Sequence, residues 1–269
     1  MSLNVMDGLD LLASPLIHER VTRIADHRPW PMPRGSWVMA QTWTDLLFAH
    51  WSVDAATLQS LVPPQLPLDT FEGRAWIGVT PFGVRNTRLR PTLPVPFVSA
   101  FPEINVRTYV TIGGKPGIFF FSLDAASALA VAVARRAYRL PYFRARMSID
   151  RNGRGVSFAS ERTSSEAPAR AEFRTRYRPT GTSFNALPGT LEHWLTERYC
   201  LYTLDDDERV LRGDIHHPPW RLQPADADID LNTMAAELAI ELDEDPLLHY
   251  ARRQDVVFWL LHAAAEAPA

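Results

Sequence analysis

Hydrophobic and polar positions alternate with a period of two along most of the chain, and short turn signals separate the runs. From Ser36 the run SWVMAQTWTDLLFAHW mixes aromatic and branched residues with polar ones, which predicts an opening strand. Asp54 then stands where it would cap a short helix, AATLQSLV, that Pro63-Pro64 stops. The turn Asp69 to Arg74 leads into a second strand, AWIGVTPFGV. Ile104 to Ile112 and Ile118 to Leu123 flank the tight loop Gly113-Gly114-Lys115-Pro116-Gly117, which predicts a hairpin with Lys115 at its tip. Another hairpin is predicted from Tyr142 to Ile149 and Val156 to Glu161, joined at Asn152-Gly153. Further strands are expected at AEFRTRYRP, Leu201 to Leu204, Arg209 to His216, Leu247 to Ala251 and Val256 to Leu261.

Three segments break the alternation in favour of helix. Ala125 to Tyr138 is rich in small helix formers, lacks glycine and proline, and ends at Leu140-Pro141. Thr190 caps LEHWLTERY, and a short helix is expected around Ile17 to Ile24 before the extended, proline-rich stretch Arg28 to Arg34. Hairpins with one main helix and a few short ones make a mainly β or α+β chain and argue against a βαβ doubly wound sheet. Residues 1–35 read as a lead-in segment and 36–269 as a single domain. A sheet of this kind curls, and a helix over its open side encloses an interior that can hold a ligand.

Composition narrows the partners. The 28 basic and 31 acidic residues leave a net charge of −3, so nothing attracts phosphate backbones or anionic lipid, and no nucleic acid or membrane partner is expected. The chain starts without the basic and apolar signature of an export signal, and its single cysteine, Cys200, fits a reducing compartment; a cytoplasmic protein is expected. No dinucleotide, phosphate-loop, zinc-protease or serine-hydrolase motif is present, so no cofactor is expected. His216 and His217 are adjacent, so strand geometry would turn them to opposite faces, and no metal is expected. Every basic residue except Lys115 is arginine, which confines amine chemistry to one position in an exposed loop.

Candidate chemistry gathers in four segments where polar residues sit among aromatics. In Pro102-Glu-Ile-Asn-Val-Arg-Thr-Tyr109, alternation puts Glu103, Asn105, Arg107 and Tyr109 on one face. A solvent-facing row would look the same, but the partner strand IFFFSLD is almost wholly apolar, which suggests a sheet buried on both sides. There Glu103 and Arg107 could pair and orient a ligand carboxylate or carbonyl. His50 beside Trp51 reads more readily as structural than as catalytic. Tyr142, after the main helix, and Arg198, Tyr199 and Tyr202 complete the set; buried phenols need partners that a structural network or a ligand would supply.

Taken together, the phrases Trp43 to Trp51, Leu68 to Gly78, Phe101 to Tyr109, Phe119 to Ala125, Leu195 to Tyr199 and His217 to Trp220 resemble the YqjF-like family, domain of unknown function 2071. That family is grouped with the acetoacetate decarboxylase-like fold, so the resemblance implies a curved, cone-like antiparallel β-barrel around a cavity. In acetoacetate decarboxylases a lysine after the central helix forms a Schiff base; at the corresponding place this chain has Tyr142, followed by Phe143. The family's acidic residue ahead of the central hairpin corresponds to Glu103. The resemblance therefore implies a pocket that persists without the decarboxylase's amine.

The function expected from the sequence is that of a small-molecule pocket protein acting on a carbonyl- or carboxylate-bearing metabolite without Schiff-base chemistry. Glu103 would be its acid or base and Tyr142 its hydrogen-bond donor. Asn105, Arg107, Tyr109, His50, Arg198 and Tyr202 would be ligand-binding residues. A non-catalytic sensor or carrier is the alternative, and a scaffold or interaction subunit a third reading. Whether it is an enzyme at all, and whether it forms a homo-oligomer, the sequence leaves open.

Overall fold

In a computed structural model the chain is described over residues 5–264 apart from 96–98, 154, 166, 168–169 and 243. The described strands, in chain order, are β1 (Met39–Val53), β2 (Ala75–Leu89), β3 (Phe101–Ile112), β4 (Lys115–Ala125), β5 (Tyr142–Asn152), β6 (Gly155–Arg162), β7 (Glu172–Pro179), β8 (Cys200–Leu204), β9 (Val210–His216), β10 (Leu222–Asn232), β11 (Leu247–Phe258) and β12 (His262–Ala263). The helices are α1 (Val5–Val21), α2 (Ala55–Gln59), α3 (Ala128–Tyr138) and α4 (Leu191–Thr196).

The strands join in the order β12-β9-β8-β4-β3-β2-β1-β11-β10-β7-β6-β5, with extra pairings β9–β11 and β4–β5. Those two extra pairings close the sheet on itself twice. One circuit runs β9, β8, β4, β3, β2, β1, β11 and back to β9; the other runs β4, β3, β2, β1, β11, β10, β7, β6, β5 and back to β4. The strands common to both circuits are therefore buried on both faces. Pairing is antiparallel except at β4, where β5 and β8 both join in parallel, so the barrel is mixed rather than purely antiparallel.

Side-chain alternation sorts the shared strands between two interiors. On β2, Ile77 and Val79 face one core while Phe82 and Val84 face the other. On β3, Ile104 and Val106 take the first side. β1 would lose this order over its 15 residues but for a bulge between Thr44 and Ala49, with Asp45 at φ 53°. Before the bulge Met39 and Trp43 face the second interior; after it Leu46 and Phe48 do, so the apolar face is kept although the parity changes. Asp45 is held by the Tyr250 hydroxyl at 2.6 Å and by an ion pair with Arg151.

The structure corrects the pattern reading in four places. The N-terminal helix is Val5–Val21, longer and earlier than the expected Ile17 to Ile24. Gly8 and Pro15 disguise it, and its Leu9, Leu12 and Leu16 are exposed, so no apolar stripe faces the sheet. Polar contacts hold it, Asp10 to Arg253 at 2.6 Å and His18 to Thr42 at 3.3 Å, together with Val21 at its end, which packs among Trp37, Ala40, Val257 and Trp259. β10 adds a strand that the sequence pattern does not predict, because Pro224 and three aspartates mask the alternation of Ala225, Ala227 and Ile229. The two closing strands are one continuous strand, β11. The helix after Thr190 stops at Thr196, short of the tyrosine.

Candidate functional site

The circuit that includes β8 and β9 encloses a cavity of about 460 Å³. Each of its seven strands contributes, through residues such as Trp43, Phe82, Glu103, Phe120, Leu201, Ile215 and Phe258, and α3 covers one side with Ala130, Ala134 and Tyr138. The helix leaves the space open because its inward stripe is alanine where leucine would fill it. Ser127 starts α3 by accepting a hydrogen bond from the Ala130 amide at 3.2 Å, and Arg139 ends it in the left-handed region at φ 50°.

Glu103, Asn105 and Arg107 line the cavity as the strand alternation predicts, and each is buried. They pair across β2 with Phe82, Thr80 and Gly78. Gly78 gives them room, since a Cβ there would lie 3.0 Å from the His50 ring and 3.4 Å from the Arg107 side chain, and both would have to give way. Glu103 accepts a hydrogen bond from the Tyr142 hydroxyl at 3.0 Å. Burial pushes its carboxyl up to about 8, Tyr142 opposes the shift, and nearby Asp124 adds to it, so Glu103 is mostly protonated at neutral pH. Burial and Glu103 together hold the Tyr142 phenol well above its ordinary value, so it stays a donor.

The expected pairing of Glu103 with Arg107 does not form. The Arg107 guanidinium lies 5.1 Å over the Phe48 ring, its Nε has no hydrogen-bond partner, and no carboxylate among the described residues is within ion-pairing reach. A buried cation without a counter-ion is costly; the groups beside it are the Phe48 ring and the Tyr109 phenol. Arg198 also lines the cavity. It is ion-paired with Asp69 at 2.6 Å, donates to the Trp194 carbonyl at 2.6 Å, and is left with an unpartnered Nη2.

His50, Tyr109 and Tyr202 do not reach the cavity. Tyr109 and His50 stand beyond its end, bonded to one another at 2.7 Å. Burial, Arg107 and His249 push His50 well below its ordinary value, so it is neutral. Tyr202 donates to the Lys115 carbonyl at 2.9 Å and secures the β3–β4 turn. Lys115 itself opens β4 beside that turn and is no part of the cavity wall.

Sequence reasoning missed Thr80, Tyr138 and Trp220, which line the cavity and carry buried polar atoms with no partner among the described residues. With Thr87 Oγ1, Asn105 Oδ1, Arg107 Nε and Arg198 Nη2 they make seven such atoms around one space, where native interiors leave few unsatisfied. Thr80 and Tyr138 had a signal in their spacing, as the inward position between Gly78 and Phe82 and the third member of the Ala130, Ala134 stripe. His217 is also in the wall, stacked 4.7 Å from Tyr199, with its Nε2 3.2 Å from the Arg198 carbonyl.

The family model for domain of unknown function 2071, described as an uncharacterized conserved protein, matches residues 40–255. The chain belongs to this family. The YqjF protein of Bacillus subtilis (strain 168), described as uncharacterized, is 50% identical over 231 residues, covering 86% of this chain and 94% of that protein. Among solved structures, acetoacetate decarboxylase superposes with a TM-score of 0.57 at 11% identity, over 91% of this chain and 98% of that one. MppR, an enduracididine biosynthesis enzyme solved with pyruvate, gives 0.57 at 10% identity, over 90% and 94%. At such identities the likeness establishes the fold of this domain of unknown function 2071 protein, that of the acetoacetate decarboxylase-like superfamily, and the chemistry has to be argued from its own residues.

Proposed function

We propose that this member of the family binds a carboxylate- or carbonyl-bearing metabolite in the cavity and acts on it by proton transfer, without forming an imine. The observation that carries the reading is Arg107, a buried guanidinium with no carboxylate partner, on the same strand face as a protonated Glu103. Arg107 would anchor an anionic or polarised oxygen, helped by the free Nη2 of Arg198. Glu103 would donate its proton to a developing oxyanion and recover it afterwards, and Tyr142 would steady the carboxylate left in between. The wall has neither lysine nor cysteine among the described residues, which supports chemistry without an imine or a thioester.

The same lack of an amine and a thiol favours a second reading, a carrier or sensor that binds such a molecule without turning it over. Thermal-shift and calorimetric screening of keto acids and simple carboxylates against wild-type protein and Arg107→Met tests binding. A ligand that stabilises the wild type and not the variant is expected, and no response to any acid would sink the proposal. Turnover of that ligand by wild-type protein, lost in Glu103→Gln, separates enzyme from carrier.

A further inference from the structure

The cavity is polar at its depth and apolar at its entrance, the reverse of a wall that simply meets water. At the depth, Glu103, Asn105, Arg107 and Arg198 are between 2% and 6% exposed. At the rim, Leu89, Leu93, Val95, Leu129 and Val133 line the same space while 48% to 62% exposed. Leu129 and Val133 lie one turn apart on the outer edge of α3, beside the stripe of Ala130 and Ala134 that faces inward. Leu89, Leu93 and Val95 come from the end of β2 and the segment after it. An exposed apolar cluster continuous with a cavity marks a surface that is covered when the cavity is filled.

Resting on the reading of the cavity as an anion-accepting site, we propose that its ligand is a monocarboxylate with an unbranched apolar tail, bound head first. The carboxylate would meet Arg107 and the free Nη2 of Arg198, and the tail would run out along Phe82, Phe120 and Ala134 to the rim. A short polar acid would leave the rim leucines and valines in water and most of the 460 Å³ unfilled. A tail removes both deficits, since each buried methylene adds favourable transfer free energy. A second anionic group on the tail would keep its hydration at the rim and so leave Leu129, Val133 and Leu93 in water, losing the apolar contact that the tail supplies.

Isothermal titration of butanoate, hexanoate, octanoate and decanoate against the full-length protein tests this, with octan-1-ol and octanedioate as controls. The expected result is affinity that tightens about threefold per added methylene through the length that fills the cavity, with octanol and octanedioate each at least tenfold weaker than octanoate. Leu129→Asp/Val133→Asp, altered only at exposed helix positions, is expected to flatten the chain-length series and spare the weak binding of butanoate. Arg107→Met is expected to lose the whole acid series. Affinity that ignores chain length, or a series unchanged in the rim variant, would overturn the tail while leaving carboxylate recognition standing. If no monocarboxylate of any length binds, both this inference and the reading beneath it fall.

Discussion

The two strand circuits share five strands and differ in what fills them. In the circuit through β10, β7, β6 and β5, the inward residues Leu47, Ile77, Val79, Ile104, Val106, Phe158 and Phe173 form a continuous apolar core. In the circuit through β8 and β9, the opposite faces of the same strands present Thr80, Glu103, Asn105 and Arg107 to open space. One backbone serves both purposes, because alternation lets each strand carry a packing face and a chemical face independently. The first interior is built to hold the barrel together, and the second gives up packing and hydrogen bonds that it could have had. Stability and binding should therefore respond to mutation in opposite ways on the two faces.

The largest effect is expected from Phe158→Ala in the packed circuit. The ring is almost fully buried, 6.4 Å from Phe173, and its removal leaves a void that neighbouring strands cannot close. A loss of about 3–5 kcal/mol is expected by urea unfolding. Ligand affinity at the other interior should stay the same while the protein is folded. A matching loss of affinity would show that the two interiors are not independent.

Next comes pH. Burial raises Glu103 from its ordinary range to about 8, so the folded state holds a proton that the unfolded chain releases near 4.5. Its stabilising contribution is complete below about 4.5 and is lost as pH rises through 8. Asp124, pushed up to about 6 by burial despite its partner Arg162, acts in the same direction over a lower window. Chemical denaturation at pH 5 and pH 8.5 should show the wild type weakening with pH and Glu103→Gln weakening much less. Parallel pH profiles in the two proteins would mean that Glu103 is not protonated when folded.

These two effects also separate what the sequence reveals from what it conceals. Period two placed Glu103, Asn105 and Arg107 on one face, and the apolar partner strand signalled burial on both sides, so the polar wall of the cavity was legible. The end of the cavity was not: Tyr109 continues the same face yet lies beyond the open space, because depth along a strand depends on how the barrel closes. Closure rests on β9–β11 and β4–β5, contacts between residues far apart in sequence that no local pattern encodes. β10 was hidden for the opposite reason: its outward aspartates, paired with Arg176 and Arg178 on β7, look like a loop until the partner strand is known.

A smaller effect, with opposite sign to the first, is expected from Arg107→Met. Methionine fills similar space beside Phe48 and Gly78 while removing a buried charge that has no counter-ion. Stability without ligand should rise by about 1 kcal/mol as acid binding disappears, the trade expected when a group is kept for function. Thermal unfolding with and without an acid ligand checks both halves. A destabilised variant would show that the guanidinium is satisfied within the fold.

The smallest effect should come from Tyr142→Phe, and it is the most specific. The ring keeps its place in the cavity wall, and only the hydroxyl bonded to Glu103 at 3.0 Å is lost. The cost in stability should be about 1 kcal/mol, that of one buried hydrogen bond. Its informative consequence is electrostatic: Tyr142 favours the charged form of Glu103, so without it the carboxyl should release its proton at a pH above the wild type's value of about 8. Carbon-13 NMR of labelled glutamate reads that titration directly in each protein. An upward shift in the variant would establish the pair as one proton-holding unit on the chemical face. An unmoved titration would reduce Tyr142 to a packing residue and leave Glu103 to act without it.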